Sequence, residues 1–444
     1  MSASRFRART LALCAAVAVA ASSLAAASAL QPPKLTALEF SPAALTDTDT
    51  ARVVLRFTQT VREVQPADVT LTPSVAHTVS TDGAAVTVRL SERIDYGAKI
   101  RVELRVASAA TGSVADVTRA VAAQDIRVRT LVRDDAGDRI VSNDLVGGAR
   151  PREIQTNRRV QEYAGLDDRV FTVTDAGGGA VELGEFGGGE RPYTPLIPAE
   201  LGSLTQLRAD TTGKFIGVVA SGIELAGRQT ENELLVMDAR SGVAPPVTVS
   251  GSDGIPLRVR DWRFVPGGIG VAVLDEDGEL WLATPALGRD PVPLGPADGI
   301  VGFLPDTGEL VADLSGVARA IDVSGLVSGG AGSEREARVV ERHLPGEVFT
   351  AGGGRVARSG DAHRLLLMID GAEQEVFAPT HSGTRIGAIC PAPNGSVVAV
   401  ELISAGAEPD ARPVLPAFRG TTTVYIDAHG GELRSSIGFA PDWC

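Results

Sequence analysis

The residues of this chain able to do chemistry are few in kind: five histidines, 55 carboxylates and three cysteines. His77, His343, His363, His381 and His429 include no pair at the spacing of a metal site. His343, His363 and His381 could converge on one rim, but solvated loop positions are expected. Asp275, Glu276 and Asp277, and Asp134, Asp135 and Asp138, offer the hard oxygens that bind Ca²⁺. Both clusters fall at hairpin tips, where Asp and Gly are ordinary turn residues, so turns are expected there. Glycosidase chemistry needs two carboxylates about 5–10 Å apart, and among so many acids no pair stands out. There is no Gly-x-Ser-x-Gly nucleophile elbow, no phosphate loop ending in Lys and Ser or Thr, and no His-Glu-x-x-His or Cys-x-x-Cys set. The glycine runs at 177–179, 187–189 and 352–354 precede no such lysine and read as turns. No catalytic residue, cofactor or metal ligand is nominated. Trp262 and Trp281 lie in apolar runs and read as core rather than as sugar-stacking platforms, and Trp443 is expected to pack a closing strand.

Two of the cysteines gain meaning from the N-terminus. Arg5, Arg7 and Arg9, the apolar run Leu11 to Ala21 and the small-residue site Ala27-Ser28-Ala29 read as a secretory signal peptide over residues 1–29. An uncleaved signal anchor is the alternative. The apolar run is short for a membrane span, and no later segment is apolar enough. Cys14 leaves with the signal, so Cys390 and Cys444 remain as an even pair in an oxidising compartment. Their disulfide would tie down the chain end and stabilise the fold by roughly 4 kcal/mol. The formal net charge of −13 argues against a nucleic-acid partner. Lysine occurs only at 34, 99 and 214, a bias expected of a GC-rich genome.

Elements must position whatever function exists, and the pattern makes them strands. Val53, Leu55 and Phe57 alternate with Arg52 and Arg56, and Ile100, Val102, Leu104 and Val106 alternate with Arg101, Glu103 and Arg105. Several short strands over residues 37–108 suggest a small β-sandwich. Residues 109–125, rich in Ala, Ser, Thr and Val, read as a linker, with a short helix as the alternative. From residue 126 onward one phrase recurs: an apolar strand, a Pro/Asp/Gly turn, another apolar strand. It appears at Leu207–Val219, Trp262–Val273, Phe303–Val311 and Ile389–Val400. An all-strand repeat of this kind is the signature of a β-propeller. A hairpin at 126–141 is expected to start it or help close it. Small residues such as Gly217 and Ala272 should admit close approach of crowded strands.

Two resemblances follow. Leu38-Glu-Phe-Ser-Pro42, Val53-Val-Leu-Arg-Phe57, Asp82-Gly83 and Ile94-Asp-Tyr-Gly97 resemble the bacterial Ig-like domains of S-layer and other surface proteins, a family that implies no catalytic residues. Glu233-Leu-Leu-Val-Met-Asp238 with its Ala-Arg-Ser-Gly turn, Thr423-Val-Tyr-Ile-Asp427, and Trp262-x-Phe-x-Pro266 resemble blades of TolB-like six-bladed propellers. That group includes transport scaffolds, enzymes and peptidase gates alike. The expectation is therefore an all-β chain: an N-terminal Ig-like β-sandwich (37–108), a linker (109–125) and a six-bladed β-propeller (126–444), with seven blades as the alternative. The expected role is an exported, monomeric, non-catalytic module, secreted or at the cell surface, that binds a protein or glycan of the envelope through a propeller face. The alternative is an exported propeller enzyme, a glycan hydrolase or lyase, with carboxylates in the central channel.

Overall fold

The computed structural model describes residues 31–444 except 49, 136, 149, 188–192, 212, 226, 241–244, 328–336, 341–345, 370–371, 429–430 and 444, together with Leu13, Ala16, Val17 and Val19. Most of residues 1–29, where a signal peptide was expected, and His343, His429 and Cys444 therefore lie outside the described residues. The chain divides into two compact units, 1–125 and 126–444. No helix among the described residues is long and apolar enough to cross a membrane.

The first unit contains β1 (Leu35–Phe40), a short helix α1 (Pro42–Asp47), β2 (Arg52–Phe57), β3 (Val69–Thr72), β4 (His77–Asp82), β5 (Ala85–Leu90), β6 (Lys99–Ala107) and β7 (Val114–Ala122). Ser41 starts α1, its hydroxyl accepting the Ala44 N–H, with Pro42 in the first turn. The strands form two antiparallel sheets, ordered β1-β2-β5-β4 and β3-β6-β7. Alternation sends Val53, Leu55, Val86 and Val88 of one sheet into the same apolar core as Leu71, Ile100, Val102 and Leu104 of the other. One expectation is corrected here. Residues 109–125 are not simply a linker, because β7 pairs along its length with β6. Val117 and Val121 point into the core while small and polar residues separate them, an alternation that Ala and Thr made faint.

The second unit is a succession of antiparallel sheets. The first holds β8 (Arg127–Asp134), β9 (Gly137–Asp144) and β10 (Arg152–Gln155). The second holds β11 (Arg159–Leu166), β12 (Arg169–Gly177), β13 (Ala180–Phe186) and β14 (Thr194–Leu201). The third holds β15 (Ser203–Ala209), β16 (Phe215–Ser221), β19 (Glu233–Asp238) and β20 (Val247–Thr248), with the small hairpin β17 (Glu224–Leu225) and β18 (Arg228–Gln229) inserted. The fourth is β21 (Val259–Phe264), β22 (Val271–Asp275), β23 (Glu279–Thr284) and β24 (Arg289–Pro296). The fifth is β25 (Gly299–Phe303), β26 (Leu310–Leu314), β27 (Val317–Ile321) and β28 (Arg338–Val339). The sixth is β29 (Val348–Phe349), β30 (Arg355–Arg358), β31 (Leu365–Ile369) and β32 (Ala372–Phe377). The seventh is β33 (Arg385–Pro391), β34 (Val397–Ile403), β35 (Thr422–Asp427) and β36 (Glu432–Ile437). In each four-stranded sheet the strands lie side by side in chain order, and the first strands of consecutive sheets from β11 to β33 lie against one another. This is the arrangement of a β-propeller, with first strands on the inside.

Burial between neighbouring sheets explains the continuous apolar runs. Phe215 to Ala220 and Val271 to Asp275 are buried without a break. Each fully buried large apolar side chain contributes about 1.5–3 kcal/mol. Gly217 serves a neighbouring sheet: a Cβ there would lie 2.5 Å from the Trp262 ring, which is fully buried in that space.

The chain end returns to the beginning of the unit. Leu131 in β8 and Phe439 exchange backbone hydrogen bonds of 2.9 and 3.0 Å, and the Asp442 N–H reaches the Arg129 carbonyl. Arg129 and Asp442 form an ion pair of 2.8 Å with both side chains at most 5% exposed. Arg133 and Asp410 pair at 2.7 Å, equally buried. Gly165 leaves the room that the Arg129–Asp442 pair occupies.

Candidate functional site: a charged row on the inner strands

The inner strands are irregular in a repeated way. Register shifts interrupt β11 between Val160 and Glu162, β15 between Thr205 and Arg208, β21 between Val259 and Asp261, β25 between Ile300 and Gly302, and β33 between Ile386 and Ile389. A bulge leaves backbone groups unpaired, and these need partners. Side chains of the preceding sheet supply them. Arg133 donates to the Val160 and Gln161 carbonyls at 2.9 and 2.8 Å. The Glu162 carboxylate accepts the Leu207 N–H at 2.7 Å. Gln206 donates to the Arg260 carbonyl at 3.0 Å, and Arg358 to the Gly387 carbonyl at 3.2 Å. Glu401 of β34 accepts the Ala440 N–H at 2.7 Å, applying the same device to the returning chain end. Arg260 donates likewise to the Asp298 carbonyl, beside the start of β25.

Three consecutive inner strands thereby gather Glu162, Arg208 and Asp261. Arg208 places both terminal nitrogens 3.2 Å from Asp261 Oδ1, and Arg263 approaches the same oxygen at 3.0 Å. The Trp262 N–H donates to it at 2.8 Å, and the Arg208 guanidinium lies over the Trp262 ring, 5.3 Å from its centre. Burial holds the Glu162 carboxyl above its ordinary range, against the lowering pull of the Leu207 and Gln206 N–H groups and of Arg208. Burial likewise raises Asp261 despite Arg208, and lowers the Arg208 guanidinium despite Asp261 and Glu162. Solvent still reaches the row: Gln161, Gln206 and Glu162 are half-buried and Arg260 is exposed. The arrangement presents acid, base and acid in order. It suits recognition of a polar ligand by paired donors and acceptors, with burial holding both carboxyls above their ordinary range.

The residues singled out from the sequence lie elsewhere. His77 belongs to the first unit, His363 Nδ1 lies 2.8 Å from the Thr384 carbonyl oxygen, and His381 is exposed. Asp275 ends β22 at a turn, where its carboxylate accepts the Glu279 N–H and the Trp281 indole N–H, each at 2.8 Å. Asp134, Asp135 and Asp138 pair with Arg139, Arg419 and Arg412. Among the described residues no group of three or more His, Cys, Asp or Glu side chains is placed to hold a metal ion. Trp262 is core, and Trp443 stacks edge-on against Tyr425 at 5.3 Å. Cys390 is buried in β33, while its expected partner Cys444 lies outside the described residues. Sequence reasoning missed Glu162, Arg208 and Asp261. Their only sequence signal is a charged residue set beside the second apolar residue of an inner strand, Tyr163, Leu207 and Trp262 in turn.

No protein-family model matches the chain, and no curated protein matches it. Among solved structures it is similar to the dihydro-heme d1 dehydrogenase NirN in complex with DHE, with a TM-score of 0.43 and 15% identity over 71% of this chain and 73% of that one. It is also similar to the periplasmic gluconolactonase PpgL of Pseudomonas aeruginosa, with a TM-score of 0.39 and 15% identity over 71% of this chain and 98% of that one. TolB of Acinetobacter baumannii gives 0.34 and 10% identity over 78% of each chain. Likeness at this level says nothing about what the chain binds or does.

Proposed function

We propose that the chain is an exported, non-catalytic binding or scaffold protein of the cell envelope or extracellular space, and that its propeller recognises a protein or glycan at the inner-strand row. The observation that carries this reading is the Glu162–Arg208–Asp261 row itself: three sheets place complementary charges side by side where solvent reaches them. Capture of envelope components by the mature protein tests it. Arg208→Ala should lose a partner that the wild type retains, and equal capture by both proteins would reject the site.

Several finer features belong to the same reading. Seven blades are supported by the seven sheets and by the return of residues 439–442 to β8, which gives the three-stranded first sheet an inner fourth segment. An Ig-like first unit is supported by the sheet orders β1-β2-β5-β4 and β3-β6-β7, which are those of constant-type Ig sandwiches, and by buried Tyr96 at the corner before β6. A Cys390–Cys444 disulfide is supported by the cross-strand row Cys390, Ala399 and Tyr425, with Trp443 stacked on Tyr425. The 1–29 signal peptide and a monomeric state complete the proposal.

The raised Glu162 and Asp261 carboxyls favour one rival, a glycan hydrolase or lyase. Turnover of polysaccharide fragments that Glu162→Gln and Asp261→Asn abolish would establish it.

A further inference from the structure

Each sheet of the propeller ends in an outer strand whose far edge pairs with no other strand among the described residues. A free edge offers a row of backbone donors and acceptors to any extended chain, unless the sequence prevents it. This chain prevents it almost everywhere. β14 carries Pro195 and Pro198, and β24 carries Pro291, Pro293 and Pro296, which take donors from the edge. β20 and β28 are two residues long and β10 is four. β36 is six residues long, but it is tied to the first sheet. Its Arg434 donates to the Leu145 carbonyl at 3.0 Å, and its Ser436 hydroxyl accepts from the Asn143 amide at 3.1 Å. β32 has none of these protections. Its six residues, Ala372–Phe377, include no proline, and the first four are exposed. Among the described residues only β31 hydrogen-bonds to it.

We propose that β32 is a docking edge, on which an extended basic segment of a partner protein adds one more strand to the sixth sheet. Main-chain pairing supplies the attraction in this mode of recognition, and alternate side chains supply the selection. Glu373 and Glu375 do the selecting. They stand on one face of the strand, roughly 7 Å apart. A partner strand with Lys or Arg at alternate positions sets a cation opposite each of them, whereas like charges directly opposite repel. The same rule disfavours a second copy of β32. Antiparallel pairing of two copies centred on Gln374 would set Glu373 of each against Glu375 of the other. Arg364 lies 4.0 Å from Glu375, with both side chains half exposed. Such a solvated pair is worth little, so the edge keeps its acidic character. The net charge of −13 also draws a basic partner from a distance. β32 is the outermost strand of its sheet, and the inner-strand row lies on first strands, so neither site depends on the other.

Hydrogen exchange on the whole protein tests the proposal, with affinities read from fluorescence anisotropy. The probes are a capped peptide alternating lysine with valine, the same peptide N-methylated at every residue, and a counterpart alternating glutamate with valine. Methylation removes the backbone donors and keeps the charges. The lysine peptide should slow exchange at alternate amides of residues 372–377, and the methylated peptide should not. Glu373→Lys combined with Glu375→Lys changes two exposed side chains and no core contact. It should weaken the lysine peptide about tenfold or more and let the glutamate peptide bind. No protection within 372–377, equal protection by the methylated peptide, or a lysine-peptide affinity that survives the charge reversal would overturn the proposal. Protection that rises with protein concentration alone would also overturn it, because the occupant would then be a second copy.

Discussion

At the scale of single residues, the propeller depends on atoms that are missing as much as on those present. Gly217 is the clearest case, because its absent Cβ is the space of the Trp262 ring. Gly217→Ala should lower stability by about 1–3 kcal/mol through overpacking, read as a lower urea midpoint at unchanged slope. The buried pair Arg133–Asp410 makes a sharper demand. Asp410→Ala strands a guanidinium that also holds the Val160 and Gln161 carbonyls, and should cost about 3–5 kcal/mol. Replacing both partners with apolar residues should recover part of that loss in a double-mutant cycle. The pH dependence follows from the same pair. Burial pushes the Asp410 carboxyl up, but the Arg133 hydrogen bond and the Arg412 and Ala417 N–H groups outweigh it and leave it below its ordinary range. Its contribution is therefore present above the usual carboxylate pKa of about 4 and is lost as pH falls through the lower folded value. Asp442, which burial raises, acts with the opposite sign and is relieved by acid.

At the scale of elements, the second strands of the sheets were the readable part of the sequence. Buried on both faces, they form unbroken apolar runs such as Phe215 to Ala220, and the Asp/Gly turns beside them repeat. The inner strands were hard to read, because each bulge breaks the period of two that reveals a strand. Glu162, Arg208 and Asp261 were invisible for the same reason: a charge beside a broken alternation looks like a solvated face. β28 and β29, two residues each, were too short to show any period. The bulges also set an expectation. Glu162→Ala leaves the Leu207 N–H without its acceptor and should cost about 1–3 kcal/mol, with faster hydrogen exchange at Leu207. Exchange as slow as in the wild type would mean that the cap does not hold the bulge.

At the scale of the whole molecule, local pattern pointed to closure through the 126–141 hairpin and Trp443 but did not say which segments meet. Leu131 and Phe439 meet across nearly the entire second unit, so neither segment carries a sign of the other. Three tyrosines report on the state of this unit. Burial pushes the Tyr193 hydroxyl up to about 12, with the Glu182 carboxylate adding to it, and burial raises Tyr163 and Tyr425 well above the ordinary value. Groups raised in the fold give stability that is present below their unfolded pKa of about 10 and lost as pH rises toward the folded values. Unfolding should therefore become easier above about pH 10, by about 1.4 kcal/mol per pH unit for each tyrosine still protonated in the fold. Chemical denaturation across that range, with tyrosine ionisation followed by absorbance, would check it.

The returning chain end makes the ring, so removing it is the most direct test of closure. Deletion of residues 439–444 takes away the Phe439 bridge, the Asp442 partner of Arg129 and the ring that stacks on Tyr425. The measurement is the thermal unfolding transition of the propeller unit with and without those residues. Closure through β8 gives a lower and less cooperative transition in the truncated chain. An unchanged melting curve would show that the sheets hold together without joining end to end.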